Sequence, residues 1–205
     1  MKVFLCISFG YLLGSVSPSA LLSKLKKKDL RENGTGNLGA TNVMLNFGKL
    51  YGLLVMLFDV MKAFFTVKLA AFLFPLSTLI PLVAGTAVVV GHIFPFYMKF
   101  KGGKGLASLG GLVLAYDPTA FLILLIIGLS LMLILNYAVF IPVSASIIFP
   151  IFVWLKTNTV ADLVASIILG AVIVFAHLEN LSDAIHGSAV KIREYIKNDL
   201  ISNNK

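Results

Sequence analysis

Charge is scarce in this chain. Asp, Glu, Lys and Arg make up 13% of its 205 residues, about half of the roughly 25% usual in a soluble domain. Acidic residues are scarcer still, nine in all. So little charge cannot clothe a soluble surface, and it cannot keep a disordered tail solvated. Cysteine is nearly absent. Cys6 alone cannot form an internal disulfide, which excludes a disulfide scaffold. What is present is apolar. Hydrophobic residues reach 59% and the mean hydropathy is +0.96, against roughly 45–50% apolar in soluble domains. A soluble enzyme and a nucleic-acid arm fall on the same arithmetic. An integral membrane protein remains, read as one domain over residues 1–205. At about 20 residues per span, the length admits about seven or eight crossings with short loops.

The net charge is +8, from 17 Lys and Arg against 9 Asp and Glu. In a membrane protein, position decides what such an excess means. Residues 3–23 form a first apolar segment, followed at once by Lys24, Lys26, Lys27 and Lys28. A basic patch there resists export, so the segment reads as an uncleaved span with the N-terminus outside. Further spans fall at 51–74, 79–98, 139–155 and 160–177. Residues 106–136 are apolar but contain Asp117-Pro118, a helix breaker followed by a favoured helix start. With that break there are seven crossings. Thirteen of the 17 basic residues then lie inside, in 24–50, 99–105 and the tail, while Lys2 and Lys156 lie outside. One cost is that 106–116 makes a helix of only about 16 Å, against a hydrocarbon core of about 30 Å. In the tail, Ala189, Ile192, Ile196 and Leu200 recur at helical spacing beside Lys191, Arg193 and Lys197, which predicts a helix on the membrane surface.

Three polar segments share the inner face. The first is Gly34-Thr35-Gly36-Asn37-Leu38-Gly39-Ala40-Thr41-Asn42. It contains GxGxxG, with Asp59 twenty residues on, but a lysine run replaces the strand a dinucleotide fold requires, and Asp59 lies inside a span. Two readings stay open: a flexible glycine loop, or an anion-binding loop in which backbone N–H groups, Thr35 and Asn37 donate beside a helix starting near Thr41. The second segment is Lys99-Phe100-Lys101-Gly102-Gly103-Lys104-Gly105. It is not a Walker loop, since no Ser or Thr follows Lys104. Positive-inside anchoring explains its lysines but not the interleaved glycines, which let amides and ammonium groups approach one phosphate. The third segment is His177-Leu178-Glu179-Asn180. His177 and Asn180 are three apart and share a helix face. Asp59 and Lys62 lie three apart within a span, where each charge costs roughly 2.5–3.5 kcal/mol and so needs a partner or a polar cavity; a structural ion pair is the plain reading. No G-x-S-x-G elbow, no His-x4-Asp pair and no zinc-ligand spacing is present.

At these segments the sequence resembles the bacterial acyl-phosphate-dependent glycerol-3-phosphate acyltransferases of the PlsY type. Family members carry motifs like SGNxGATNxxR, GHxFPxFxxFKGGKGVAT and HxxNxxRLxxGxE. Here these read GTGNLGATNVML at 34–45, GHIFPFYMKFKGGKGLAS at 91–108 and HLENLSDAIHGSA at 177–189. Gly14-Ser15-Val16-Ser17-Pro18 and LFDVMK at 57–62 also match. The resemblance is collinear over nearly the whole chain. It implies an all-α integral membrane fold of about seven transmembrane helices, with the C-terminus and the active site on the cytoplasmic face of the bacterial inner membrane. It implies transfer of a fatty acyl group from acyl phosphate to the 1-hydroxyl of glycerol 3-phosphate, giving lysophosphatidic acid for phospholipid synthesis. His177, Asn180, Thr35 and Lys104 would be catalytic. Gly34, Gly36, Asn37, Gly39, Thr41, Asn42, Lys101, Gly102, Gly103 and Gly105 would bind substrate phosphate. Asp59, Lys62 and Ser15 would support them. No metal and no cofactor is implied. The partners expected are the two substrates and membrane lipids, with no nucleic acid, and the working unit is taken as a monomer. The chain departs from the family motifs at Thr35 for Ser, Leu45 for Arg, Asp183 for Arg and Ala189 for Glu. A non-catalytic or altered-acceptor homologue, binding acyl phosphate or a lipid phosphate, is the alternative. A small transporter is less favoured, because the polar groups cluster at one face rather than at the midplane.

Overall fold

Breaks in the apolar pattern become helix ends. A computed structural model describes residues 1–194. Among these the regular elements are all helical: α1 Lys2–Ser15, α2 Pro18–Leu25, α3 Ala40–Phe47, α4 Lys49–Leu73, α5 Leu79–Ile93, α6 Leu106–Tyr116, α7 Pro118–Leu135, α8 Phe140–Thr157, α9 Val160–Ala176 and α10 Leu178–Ile185, with a 3-10 turn at Phe96–Met98. Asp117-Pro118 divides 106–136 as expected. Pro118 opens α7, and the Asp117 carboxylate accepts from the N–H groups of Thr119 and Ala120, both at 2.9 Å. The first apolar segment is not the unbroken helix expected over 3–23. Pro18 disfavours helical backbone at Ser17, which is extended, and the Ser17 hydroxyl caps α2 by accepting from Ala20 N at 3.2 Å.

Among the described residues, five stretches are long and apolar enough to cross a membrane: Lys2–Leu25, Lys49–Leu73, Leu79–Met98, Pro118–Leu135 and Phe140–Thr157. Helices α9 and α10, bent by 56° at His177, make a sixth if counted together as one broken span. The expected seventh crossing falls on α6, which has 11 residues and is too short to qualify. In the tail, residues 188–191 are not helical, so the expected surface helix does not begin at Ala189; Ile196, Lys197 and Leu200 lie outside the described residues. The described part of the tail is tied back to the end of α7, where Ile192 N and Arg193 N donate to the backbone and side-chain oxygens of Asn136.

Helix α5 is the hub, packing on α1, α4, α6 and α9. Lipid tails are as apolar as leucine, so close packing rather than water exclusion holds such helices together. The sequence supplies small residues at the crossings. A Cβ on Gly14 would collide with the Val88 backbone, and one on Gly111 with the Val60 backbone. Around these contacts Leu82, Val88, Leu112, Phe149, Leu169 and Ile173 are buried. The outward faces stay apolar and exposed, as at Phe72, Ile126 and Leu155, which suits contact with acyl chains. A second cluster of Leu30, Leu38, Val43, Val55 and Met98 lies under the polar loops at one end.

Gly14→Leu is expected to force α1 off α5 and to cost about 1–3 kcal/mol or more by overpacking. Gly110→Ala, whose methyl would meet only Phe121 at 3.7 Å, should stay within about 0.5 kcal/mol of the parent. Thermal unfolding in detergent checks the pair.

Candidate active site

The three polar segments meet at one end of the bundle. The first lies before α3, the second follows α5 and the third follows α9. Leu38 N donates to the Gly102 carbonyl at 3.3 Å, joining the first segment to the second. Lys104 Nζ donates to Asn180 Oδ1, joining the second to the third. Glu179 lies 3.8 Å from Lys104 Nζ but is 85% exposed, so that pair contributes little.

Asn42 shapes the first loop from within. It is fully buried, and the two hydrogens of its amide are shared among the carbonyls of Leu30, Asn33 and Asn37 at 2.7, 3.0 and 2.8 Å. Its Oδ1 accepts from Thr35 N at 2.8 Å and Asn46 Nδ2 at 3.0 Å. Nothing in Asn42 is left over for a phosphate, contrary to its place among the expected ligands. Asn37 is similarly engaged, accepting from Gly39 N and donating to Thr35 Oγ1. Gly34 and Gly36 have φ of 64° and 67°, which glycine adopts without strain. The loop so formed presents Gly34, Thr35 and Gly36 outward, and Thr41 is exposed in the first turn of α3, whose N-cap is Gly39. Just upstream, Arg31 hydrogen-bonds Asp29 through its side chain and its backbone N–H and holds the Asp29 carboxyl down to about 2, so this pair stays ionised.

The second loop is stapled to the end of α5. Gly102 N donates to the Ile93 carbonyl at 3.0 Å and Gly103 N to the His92 carbonyl at 3.1 Å. These two amides are therefore used within the fold, whereas the sequence pattern suggested that they face a phosphate. The lysines remain. Lys101 is exposed and Lys104 is partly exposed. Gly105, at φ 85°, caps α6. Beneath the loop, Asp59 and Lys62 form the expected buried pair at 2.7 Å. No sequence pattern links His92 to them, yet its Nδ1 lies 3.2 Å from Asp59 Oδ1 and 3.1 Å from Lys62 Nζ. Ser15 is buried at the end of α1. Its hydroxyl donates to Tyr11 O, and its carbonyl accepts from Tyr97 OH at 2.6 Å, so it anchors the turn after α5.

His177 sits at the bend between α9 and α10 and is 5% exposed. Its Nδ1 is 2.9 Å from the Ile173 carbonyl. A carbonyl only accepts, so Nδ1 carries the hydrogen, and in the neutral ring Nε2 keeps the lone pair. A histidine in that tautomer can take a proton from a hydroxyl, while Lys104 offers charge to an anion. At the departures from the motifs, Leu45 is half exposed. Asp183 closes the turn after α10, its side chain accepting from the Ser188 hydroxyl at 3.2 Å and its carbonyl from the N–H groups of Ser188 and Ala189.

The profile of the family described as glycerol-3-phosphate acyltransferase matches residues 4–187. The chain belongs to that family. It is 36% identical over 187 residues to a glycerol-3-phosphate acyltransferase of Aquifex aeolicus, covering 91% of this chain and 97% of that one. It is 35% identical to one of Enterococcus faecalis, covering 94% and 93%. The crystal structure of PlsY (YgiH), an integral membrane glycerol 3-phosphate acyltransferase, superposes in its glycerol 3-phosphate form with a TM-score of 0.85 at 34% identity, over 93% of this chain and 96% of that chain. Its lysophosphatidic acid form gives 0.82 at 33% identity, over 93% and 95%.

Asn42→Ala takes the side-chain partner from the Leu30 and Asn37 carbonyls, while the Asn33 carbonyl keeps Gly36 N at 3.3 Å, and it should destabilise the first loop by about 1–3 kcal/mol for each one that finds no new partner. Limited proteolysis is expected to show faster cleavage within residues 30–41, with α5 to α9 unaffected.

Proposed function

We infer that this multi-pass membrane protein transfers a fatty acyl group from acyl phosphate to the 1-hydroxyl of glycerol 3-phosphate, releasing inorganic phosphate and forming lysophosphatidic acid. The observation that carries this reading is the joining of all three segments, through Leu38 to Gly102 and through Lys104 to Asn180, at one end of the helices. Family membership over residues 4–187 supports it. Acyl phosphate is a mixed anhydride with a good leaving group, so the chemistry needs no acyl-enzyme. The hydroxyl oxygen attacks the acyl carbon, the carbon–oxygen bond to phosphorus breaks, and the hydroxyl proton passes to His177 Nε2. Lys104 and the exposed first loop, with Thr35, Gly34 and Gly36, steady the phosphate charge, and Lys101 adds to the field. Asn180, already paired with Lys104, orients the acceptor. Positioning and charge stabilisation are the main contributions required of the protein. The acyl chain lies among the apolar helix faces.

The site faces the cytoplasm of a bacterial inner membrane in a seven-crossing topology with α6 as a crossing, and the chain acts as a monomer. Thirteen basic residues on that side in this arrangement support the orientation. The non-catalytic alternative rests on Leu45, Asp183 and Ala189. It is not favoured, because Asp183 has a structural task of its own and the Lys104–Asn180 hydrogen bond forms just beyond the bend that carries His177.

Purified protein given acyl phosphate and glycerol 3-phosphate should form lysophosphatidic acid. His177→Ala and Lys104→Ala should each lower the rate by about 100-fold or more. No product above the Lys104→Ala control removes this reading. For topology, Gly34→Cys and Gly187→Cys in a Cys6→Ser background should react with an impermeant thiol reagent only from the cytoplasmic side. Labelling of either from outside breaks the seven-crossing arrangement.

A further inference from the structure

We propose that Asp59, Lys62 and His92 form a positioning network that fixes the Lys99–Gly105 loop from inside the membrane. The role assigned to the loop rests on the acyl-transfer reading above; the network itself rests on geometry. All three side chains are buried, at 2%, 5% and 7% exposure. Lys62 Nζ has three hydrogens as an ammonium. It lies 2.9 Å from the Gly14 carbonyl, 3.1 Å from the Val16 carbonyl and 2.7 Å from Asp59 Oδ1. His92 Nδ1 is a fourth polar neighbour of that ammonium, 3.1 Å away. The same nitrogen is 3.2 Å from the same Asp59 oxygen, so the imidazole is lodged between the ammonium and the carboxylate. The ring is thereby held in one orientation.

The fixed ring is the floor on which the loop rests. A Cβ on Gly103 would strike His92 Nε2, and one on Gly102 would strike the His92 carbonyl. The two glycines are thus needed for close approach rather than for unusual torsion; neither has a positive φ. Gly102 N and Gly103 N then bond to the carbonyls of Ile93 and His92, and Lys101 and Lys104 flank the glycine pair on either side. The same ammonium that steadies Asp59 also holds the broken end of α1 at Gly14 and Val16. Lys62 therefore registers three elements against one another: the end of α1, the middle of α4 and the last turn of α5. None of the three network residues is assigned contact with substrate. They act through the loop.

The network makes a claim that a purely structural ion pair would not. In His92→Ala the helix carbonyls remain, but the floor is gone. Amide exchange in the peptide covering 99–105 should then rise about 10-fold or more, with α4 and α5 exchanging as in the parent. KM for glycerol 3-phosphate should rise about 10-fold or more while kcat changes by less than about 3-fold. His92→Asn keeps a polar group near the Nδ1 position, able to donate or to accept, and should recover most of both. Gly103→Ala alone should displace the loop, because its methyl meets the imidazole. In the His92→Ala background that collision is absent, so the two changes together should fall well short of additive. Unchanged exchange in the loop, an equal rise throughout the helices, or additive effects of Gly103→Ala and His92→Ala each overturn the proposal. Exchange is read without turnover, so a parent protein that transfers nothing would count against the acyl-transfer reading and leave the network to be judged on exchange alone.

Discussion

The interaction on which the rest of this structure depends is the ammonium of Lys62. A charge within a membrane span is costly unless something answers it. Here it is answered by a carboxylate one helical turn away and by two carbonyls freed where α1 breaks. The break and the charge satisfy each other. Pro18 cannot continue α1 as a helix, so carbonyls near the break lose their intrahelical partners. Lys62 supplies the missing donors, and the carbonyls supply the lysine with polar company. Losing one partner of such a group leaves the others exposed to hydrocarbon, which is why buried pairs are far costlier to break than to replace whole.

From that point the architecture follows by contact. Helix α5 is pinned through His92 and packs against four other helices where glycine or alanine permits. Its C-terminal end carries the glycine-lysine loop, and that loop carries the contacts to the segments before α3 and after α9. Two kinds of force are at work. Among the spans, close fit of side chains dominates, since lipid offers no hydrophobic incentive to associate. Under the polar loops, Leu30, Leu38, Val43 and Met98 are withdrawn from water in the ordinary way. The bundle is thus cemented by packing along its length and by water exclusion at the end where the loops converge.

Much of this was legible in the sequence. The helix break at Asp117-Pro118 follows from local rules that hold in any solvent. So does the start of α3 beside the first glycine loop. The meeting of the three loops at one end follows from counting spans and lysines. What could not be read was long-range pairing. Asp59 and His92 lie on different helices, and no periodicity links them. The engagement of Gly102 and Gly103 by α5 was hidden for the same reason. A glycine pair beside lysines looks the same whether its amides face a ligand or a carbonyl. The inward turn of Asn42 was hidden too, because asparagine in a glycine loop can turn inward or outward, and only the positions of Leu30, Asn33 and Asn37 decide which. The break at Val16-Ser17 was signalled by Pro18 but was masked by the continuous apolar run on both sides.

The shortness of α6 has a further consequence. Eleven residues rise about 16 Å from the far end of the bundle, roughly half of a hydrocarbon core of about 30 Å. In the proposed seven-crossing arrangement its start, and the loop that leads into it, would lie below the level reached by the longer helices. A reaction centre at that depth would stand on the boundary between two phases. An amphiphile can reach it by sliding within the plane of the bilayer, and a small water-soluble molecule can reach it from above. For the first, concentration is counted per area of membrane; for the second, per volume of water. In that arrangement one short helix would turn a barrier into a place where reactants from both can meet.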